Sequence, residues 1–289
     1  MLVLCLQILT RFAKENGMDQ YAVMGNPVAH SKSPLIHTLF AEETGQSFTY
    51  TAIQVELGHF PETVNSFFAS GGKGLNVTVP FKTETYALAT IRSARATRAG
   101  AVNTLDLRKE GLFGDNTDGI GLLRDLTQNI GISLKGIRIL VLGAGGAARG
   151  ILQPILEQKP SIVFIANRTP ERAYQLTSTF SDLGKIEGSA LNTLAGKHFD
   201  LILNATRASL EGDGLLLPDG LLERGGGGYD LMYGKDTPFL SWARKQGAGW
   251  VSDGLGMLVE QAAEAFFIWR GVHPSTAPVL EKIRESKQL

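Results

Sequence analysis

The sequence has one cysteine, Cys5, in 289 residues. That excludes an intrachain disulfide framework and a cysteine-rich metal site, and it agrees with a reducing compartment. Net charge is also absent, with 28 basic residues against 28 acidic ones. A balanced chain gives no reason to expect a nucleic-acid partner or an acidic membrane surface. No stretch approaches the roughly 20 apolar residues that span a bilayer. The apolar patch Leu2 to Leu9 has no basic segment before it and no small-residue cleavage site after it, so it does not read as a signal peptide. Residues 1–17 are expected to be a leader outside the core, and the protein is expected to be cytoplasmic. Glycine, by contrast, is plentiful: 34 residues, in short clusters between apolar runs. With length enough for two α/β domains, this composition suits a loop-rich enzyme scaffold.

The stretch that organises the rest is Gly74-Leu75-Asn76-Val77-Thr78-Val79-Pro80-Phe81-Lys82. Leu75, Val77 and Val79 alternate with Asn76 and Thr78, the period of a strand with two unlike faces. Pro80 lacks a donor and should end that strand. Lys82 then falls in the first turn of a helix, where the dipole disfavours its charge. A placement that opposes stability is a candidate for function, although a surface lysine after a buried strand is the plainer reading.

Upstream, Tyr21 to Met24 reads as a strand broken at Gly25-Asn26-Pro27. Ser33 is a good N-cap and Pro34 suits the first helical position. Leu35, Leu39 and Phe40 should share a face, and Gly45 should close the helix. Ser31 and Ser33 thus present hydroxyls beside open amides, a ready anion site. His30 and His37 read as solvated or structural. Phe48 to Ile53 is a second strand, and Phe60, Val64, Phe67 and Phe68 recur at helical spacing. Strand, helix, strand, helix, strand implies a mostly parallel sheet. Further on, a small-residue turn holds Asn103, and Gly114-Asp115-Asn116-Thr117-Asp118-Gly119 opens a helix carrying Leu122, Leu123, Leu126 and Ile130. Asp118 suits a helix start. Strand ends of a parallel sheet converge on one side, so Asp118 and Lys82 could meet.

In the second half, Ile137 to Leu142 is a buried strand running into Gly143-Ala144-Gly145-Gly146-Ala147-Ala148. Gly143, Gly145 and Ala148 fit the dinucleotide fingerprint in its strand-to-helix context. The next strand, Ser161 to Ala166, ends at Asn167-Arg168-Thr169, where an NAD site usually places an acid. Thr169 can cap the following helix, with Pro170 in its first position. Arg168 and Arg172 beside that helix start suit a 2′-phosphate, so NADP is expected over NAD. Phe199 to Thr206 is a further strand. Gly225 to Gly228 stand where bulkier residues would be expected to begin a strand, and they should weaken its packing.

Together the motifs Asn-Pro-Val-Ala-His-Ser-Lys-Ser-Pro, Asn-Val-Thr-Val-Pro-Phe-Lys, Gly-Ala-Val-Asn-Thr and Gly-Asp-Asn-Thr-Asp-Gly make the chain resemble the shikimate dehydrogenases, over about residues 18 to 289. The resemblance implies an α/β fold of two domains: a substrate domain with a mostly parallel sheet, and an inserted Rossmann-type, doubly wound NADP domain. The limits expected are 18–118 for the substrate domain and 119–253 for the NADP domain, with helices in 254–289 returning to the first. The implied reaction is reversible reduction of 3-dehydroshikimate to shikimate with NADPH, in aromatic amino-acid biosynthesis. Lys82 would serve the alkoxide and Asp118 would orient it. Ser31 and Ser33 would bind the substrate carboxylate. Asn76, Thr78, Asn103, Asp118, Tyr233 and Gln261 would contact the ring hydroxyls or line their pocket. Thr206, Leu231 and Gly254 would join the glycine loop around the cofactor. No metal is implied, and the assembly would be a monomer or homodimer. Arg207 stands where the family commonly has serine. The competing readings are a quinate/shikimate dehydrogenase with relaxed substrate or cofactor choice, a non-catalytic sensor of shikimate or NADP, and a folate-pathway dehydrogenase of similar plan.

Overall fold

The computed structural model describes residues 18–206, 217–234 and 236–285; the leader and Arg207 lie outside them. The chain divides into two compact units. One runs through Thr117 and resumes at Gln261–Ile283, and the other has Asp118–Glu260 as its body.

The first unit is built on a six-stranded sheet of β1 (Asp19–Gly25), β2 (Phe48–Gln54), β3 (Gly72–Val77), β4 (Ile91–Arg92), β5 (Thr104–Arg108) and β6 (Gly111–Asp115), in the order β2-β1-β3-β5-β6-β4. The first three strands are parallel, as the alternation with α1 (Ser33–Thr44) and α2 (Phe60–Ala69) implies. β5 then pairs antiparallel with β3, and β6 pairs antiparallel with β5, since only two residues separate β5 from β6 and no crossover fits between them. Phe60, Val64 and Phe67 of α2 are buried as their spacing requires. In α1 the buried face is instead Ile36, Leu39 and Phe40, and Leu35 is 42% exposed. Ile36 and Phe40 stand four apart and share the inner face, which turns Leu35 outward. Gly45 closes α1 in the left-handed region at φ 63°. β3 ends at Val77, ahead of the Pro80 expected to stop it. The amide of Thr78 still donates to the Met24 carbonyl at 2.9 Å.

The second unit is a six-stranded sheet of β7 (Arg138–Leu142), β8 (Ile162–Asn167), β9 (Ile186–Ala190), β10 (Phe199–Asn204), β11 (Leu222–Asp230) and β12 (Trp250–Asp253). Its order is β12-β11-β10-β7-β8-β9 and every pairing is parallel. That is the doubly wound dinucleotide-binding order, with its switch point between β7 and β10. One apolar cluster packs α6 (Gly146–Glu157) and α7 (Pro170–Phe180) against one face, through Ile151, Leu152, Ile155, Leu176 and Phe180. A second, with Phe239 and Leu240 of α8 (Pro238–Lys245), covers the other. Burial on both faces explains the unbroken apolar run of β7.

The glycine run in β11 does not loosen the strand. Register shifts between Phe199 and Leu201, a bulge that absorbs the extra residues. A Cβ on Gly227 would stand 2.0 Å from the Trp250 ring, and one on Gly228 2.8 Å from the Ala243 Cβ. The bulk expected on β11 is supplied by its neighbours instead.

α5 (Asp118–Arg124) opens the second unit and continues into a π-helical turn, Asp125–Asn129. Asp125 accepts from the Tyr229 hydroxyl at 2.7 Å. α9 (Leu255–Arg270) begins in the second unit and finishes in the first. There its Trp269 Nε1 donates to the Leu105 carbonyl at 2.9 Å. α10 (Thr276–Glu285) follows.

Candidate active site

In the first unit, Lys32, not Ser33, is the N-cap of α1, and it makes no side-chain cap. The helix begins one residue earlier than the sequence suggests, and Ser31 Oγ, just before the cap, accepts from the Ser33 amide at 3.3 Å. Ser33 is itself buried, and its hydroxyl neighbours the Tyr50 phenol. Lys82 is the first residue of α3 (Lys82–Leu88) and half-buried. Its position is set by the preceding Phe81, fully buried and stacked on Phe60 with ring centroids 4.5 Å apart. The Lys82 carbonyl accepts from the Val102 amide at 2.9 Å, which ties it to the turn carrying Asn103. Thr78 packs so tightly on Gly25 that a Cβ there would come within 2.3 Å of its methyl group.

Asn76, Asn103 and Gln261 come together in a buried polar network. Tyr50 Oη donates to Asn76 Oδ1 at 2.7 Å, and Asn76 Nδ2 donates to Thr104 Oγ1 at 3.1 Å. Thr104 Oγ1 donates to Asn103 Oδ1 at 3.0 Å. Asn103 Nδ2 then donates to Thr117 Oγ1 at 3.0 Å and to Gln261 Oε1 at 3.3 Å. Thr104 and Thr117 lie inside two of the motifs without being singled out, Tyr50 lies in none, and sequence reasoning missed all three as members of the network. Beside them His37 is fully buried and stacks on Tyr50 at 4.2 Å, with neither ring nitrogen bonded among the described residues. Burial pushes its pKa down to about 3 against an opposing pull from the nearby Asn76 side chain, so the ring is neutral.

The segment leading to Asp118 is clamped. Asp115 receives two hydrogen bonds from Arg95 of α4 (Ala94–Ala99), both 2.7 Å, and further bonds from Ser93 and the Asn116 amide. Burial would raise its pKa, but Arg95 outweighs that and holds the carboxyl below its ordinary range. Asp118 heads α5 in the second unit and is buried.

The expected cofactor residues of the second unit gather at the carboxyl ends of its strands. Gly143 has φ 100°, open to glycine but strained for other residues, and a Cβ there would stand 3.1 Å from the Ala205 carbonyl oxygen. Gly145 has an ordinary extended conformation, and a Cβ added to it would meet nothing within 4 Å among the described residues. It is the N-cap of α6, so Gly145, Gly146 and Ala147 bring amides to a helix start beside open space, with Ala144 preceding them and Ala148 fully buried beneath. Those residues fit a pyrophosphate. Asn204 Oδ1 accepts from the Thr206 hydroxyl at 2.7 Å, and its Nδ2 donates to Asp230 at 3.1 Å. The Leu231 amide donates to the Asn204 carbonyl at 3.0 Å. Gly254 lies against Leu231, where a Cβ would stand 2.3 Å from its carbonyl oxygen. Tyr233 follows β11, half-buried in the second unit.

At the end of β8, Asn167 Nδ2 donates to the Thr169 carbonyl at 2.8 Å. Thr169 occupies the N-cap of α7 without the side-chain cap expected of it. Arg168 and Arg172 are exposed there, and Pro170 opens the helix.

Three family models match in succession: shikimate dehydrogenase substrate binding domain over residues 23–105, shikimate / quinate 5-dehydrogenase over 125–211, and shikimate 5'-dehydrogenase C-terminal domain over 254–284. The chain is 56% identical to the shikimate dehydrogenase (NADP(+)) of Dechloromonas aromatica over 267 residues, 92% of this chain and 97% of that protein. It belongs to the shikimate dehydrogenase family. A Thermus thermophilus shikimate 5-dehydrogenase, solved with NADP(H) and shikimate, has a TM-score of 0.81 and 36% identity over 93% of this chain and 99% of that one. An enzyme of Pseudomonas putida named Ael1 has a TM-score of 0.83 and 47% identity over 91% and 97%. Membership accounts for the pairing of a serine loop and Lys82 in one unit with a dinucleotide fingerprint in the other.

Proposed function

We propose that this chain catalyses the reversible reduction of 3-dehydroshikimate to shikimate with NADPH, as a step of aromatic amino-acid biosynthesis. The observation that carries the reading is the division of labour within the fold. The first unit holds Lys82 and a buried chain of amide and hydroxyl groups, while the second holds an open glycine-lined helix start with arginines at the end of β8. Residues 18–118 would form the substrate domain and 119–253 the cofactor domain, with 254–289 returning to the first.

NADPH, when bound, supplies the hydride. Gly143, Ala144, Gly145, Gly146 and Ala147 would hold its pyrophosphate. Asn167, Arg168, Thr169 and Arg172 would hold the 2′-phosphate, and Thr206, Leu231 and Gly254 would border the nicotinamide end. Ser31 and Ser33 hold the substrate carboxylate, while Asn76, Thr78, Asn103, Tyr233 and Gln261 hold its ring hydroxyls. Lys82 protonates or stabilises the alkoxide that forms at the carbonyl oxygen, and Asp118 orients the lysine and a ring hydroxyl. The enzyme works in the cytoplasm as a monomer or homodimer.

The test follows absorbance of the reduced nicotinamide with shikimate or quinate paired with NADP or NAD. Turnover should be highest with shikimate and NADP. Equal turnover with quinate or NAD would favour a broader dehydrogenase, and no turnover in any pairing would favour a sensor.

A further inference from the structure

The buried network in the first unit has a direction, and two backbone groups determine it. The Asn103 carbonyl lies 3.4 Å from the Asn76 amide nitrogen. A carbonyl can only accept, so Asn76 must turn Nδ2 toward it and Oδ1 toward Tyr50. The Thr117 amide lies 2.9 Å from Asn103 Oδ1. An amide N–H can only donate, so Asn103 must turn Oδ1 toward it and Nδ2 toward Gln261. Thr104, having accepted from Asn76, donates to Asn103. Gln261 must therefore present Oε1 to the network, where it also receives the Thr117 hydroxyl at 3.1 Å. Oε1 is thereby committed to accepting within the network.

We propose that Tyr50 is a positioning residue for the substrate, acting as the donor at the head of this chain, which presents Gln261 to a ring hydroxyl with its N–H outward. The proposal rests on the reading that Asn76, Asn103 and Gln261 serve the substrate. Tyr50 suits the task because its ring cannot wander. It is nearly buried on β2, stacked against His37 with only 9° between the planes. It reaches past β1 to Asn76 on β3, two strands away. As a phenol it can donate to an amide oxygen that no other side chain of the network serves. Without it, Asn76 Oδ1 would be a buried acceptor lacking that donor. A substrate oxygen beside Gln261 is accordingly held as an acceptor.

The experiment compares Tyr50→Phe, Gln261→Leu and the double variant in steady-state kinetics and thermal melting. Phenylalanine keeps the stack on His37, so the fold is retained. Tyr50→Phe should raise KM for shikimate about tenfold, the scale of one buried hydrogen bond. KM for NADP should stay near the parent value, while the melting temperature should fall by a few degrees because Asn76 Oδ1 loses its donor. The losses in the double variant should be less than additive, because both act through one chain. If Gln261→Leu raises KM for shikimate and Tyr50→Phe does not, the role of Tyr50 is refuted while the substrate reading stands. If Gln261→Leu leaves that KM unchanged, the substrate reading fails and the proposal with it. A drop in melting temperature with both KM values raised alike would make Tyr50 purely structural and overturn the proposal.

Discussion

Replacing Gly145 by alanine separates holding the fold from holding the cofactor. The residue lies at φ −89°, ψ −170°, a conformation alanine adopts freely, and no atom of the described residues comes within 4 Å of the added methyl. The fold should notice little. Alanine is a poorer N-cap than glycine by some tenths of a kcal/mol or more, and it lowers the entropy of the unfolded chain by about 0.4–1 kcal/mol. These terms oppose one another, so stability should change by no more than about 1 kcal/mol. The methyl group does occupy the open space at the start of α6, where the pyrophosphate would approach the backbone amides. Losing one hydrogen bond to a charged group costs roughly 1.5–3 kcal/mol, a factor of about 10 to 150 in affinity. Gly143→Ala is the contrast. Its φ of 100° and the Ala205 carbonyl oxygen 3.1 Å from the new Cβ predict a loss of melting temperature as well. Thermal melts and titration with NADPH, following its fluorescence, give both quantities for both variants. Gly145→Ala that melted like the parent and bound NADPH equally well would refute the placement of the pyrophosphate.

Other outcomes follow from the same geometry. Lys82→Ala should lower turnover by about 10²–10⁴-fold with little effect on NADPH affinity, and Asp118→Asn should lower turnover in a way that does not add to it in the double variant; unchanged turnover in Lys82→Ala would remove the lysine from the mechanism. Arg168→Ala should cut the ratio of kcat/KM for NADP over NAD by about 10- to 150-fold, and equal weakening of both cofactors would refute the 2′-phosphate assignment. His37 binds a proton near pH 6.5 when unfolded but only near 3 when folded, so its contribution is fully present above about pH 6.5 and is lost as the pH falls toward 3. His37→Phe should flatten that acid limb, by about 3 kcal/mol at pH 4, and urea midpoints that fell in parallel for parent and variant would contradict it.

What the sequence made legible was local. The turn and helix start at Gly143–Ala148, the buried face of α2 and the left-handed end of α1 all follow from residues within a few positions of one another. So does the convergence of the expected cofactor residues at a switch point, once the strands are known to be parallel. The misses share a cause. Leu35 fits a helical face with Leu39 as well as Ile36 does with Phe40, and only packing in the first unit, which buries Leu39 with the second pair, leaves Leu35 outside. Tyr50 reads as ordinary strand composition until its partner, 26 residues away, is known. Asn103 meets Gln261 across 158 residues, a pairing no periodicity encodes. The glycines of β11 look like a weakness until Trp250 on the next strand is seen to need their space.

The same network bears on why a core would carry so many polar groups. Asn76, Asn103, Thr104, Thr117 and Gln261 are all 9% exposed or less, in a unit whose main apolar cluster is aliphatic and aromatic. Each buried polar group left unsatisfied costs about 1–3 kcal/mol, whereas each satisfied pair returns only about 0.5–1.5 kcal/mol. Apolar side chains of similar size would hold the sheet at least as well. The arrangement therefore gains little in stability and makes several residues depend on one another's orientation. What it does provide is a fixed pattern of donors and acceptors. A hydrophobic pocket discriminates poorly against an added or missing hydroxyl, but a site built of committed hydrogen-bonding groups rejects the wrong pattern strongly. For a substrate that is a ring bearing several hydroxyls, that is the property required. The chain from Tyr50 to Gln261 is thus better explained by recognition than by folding.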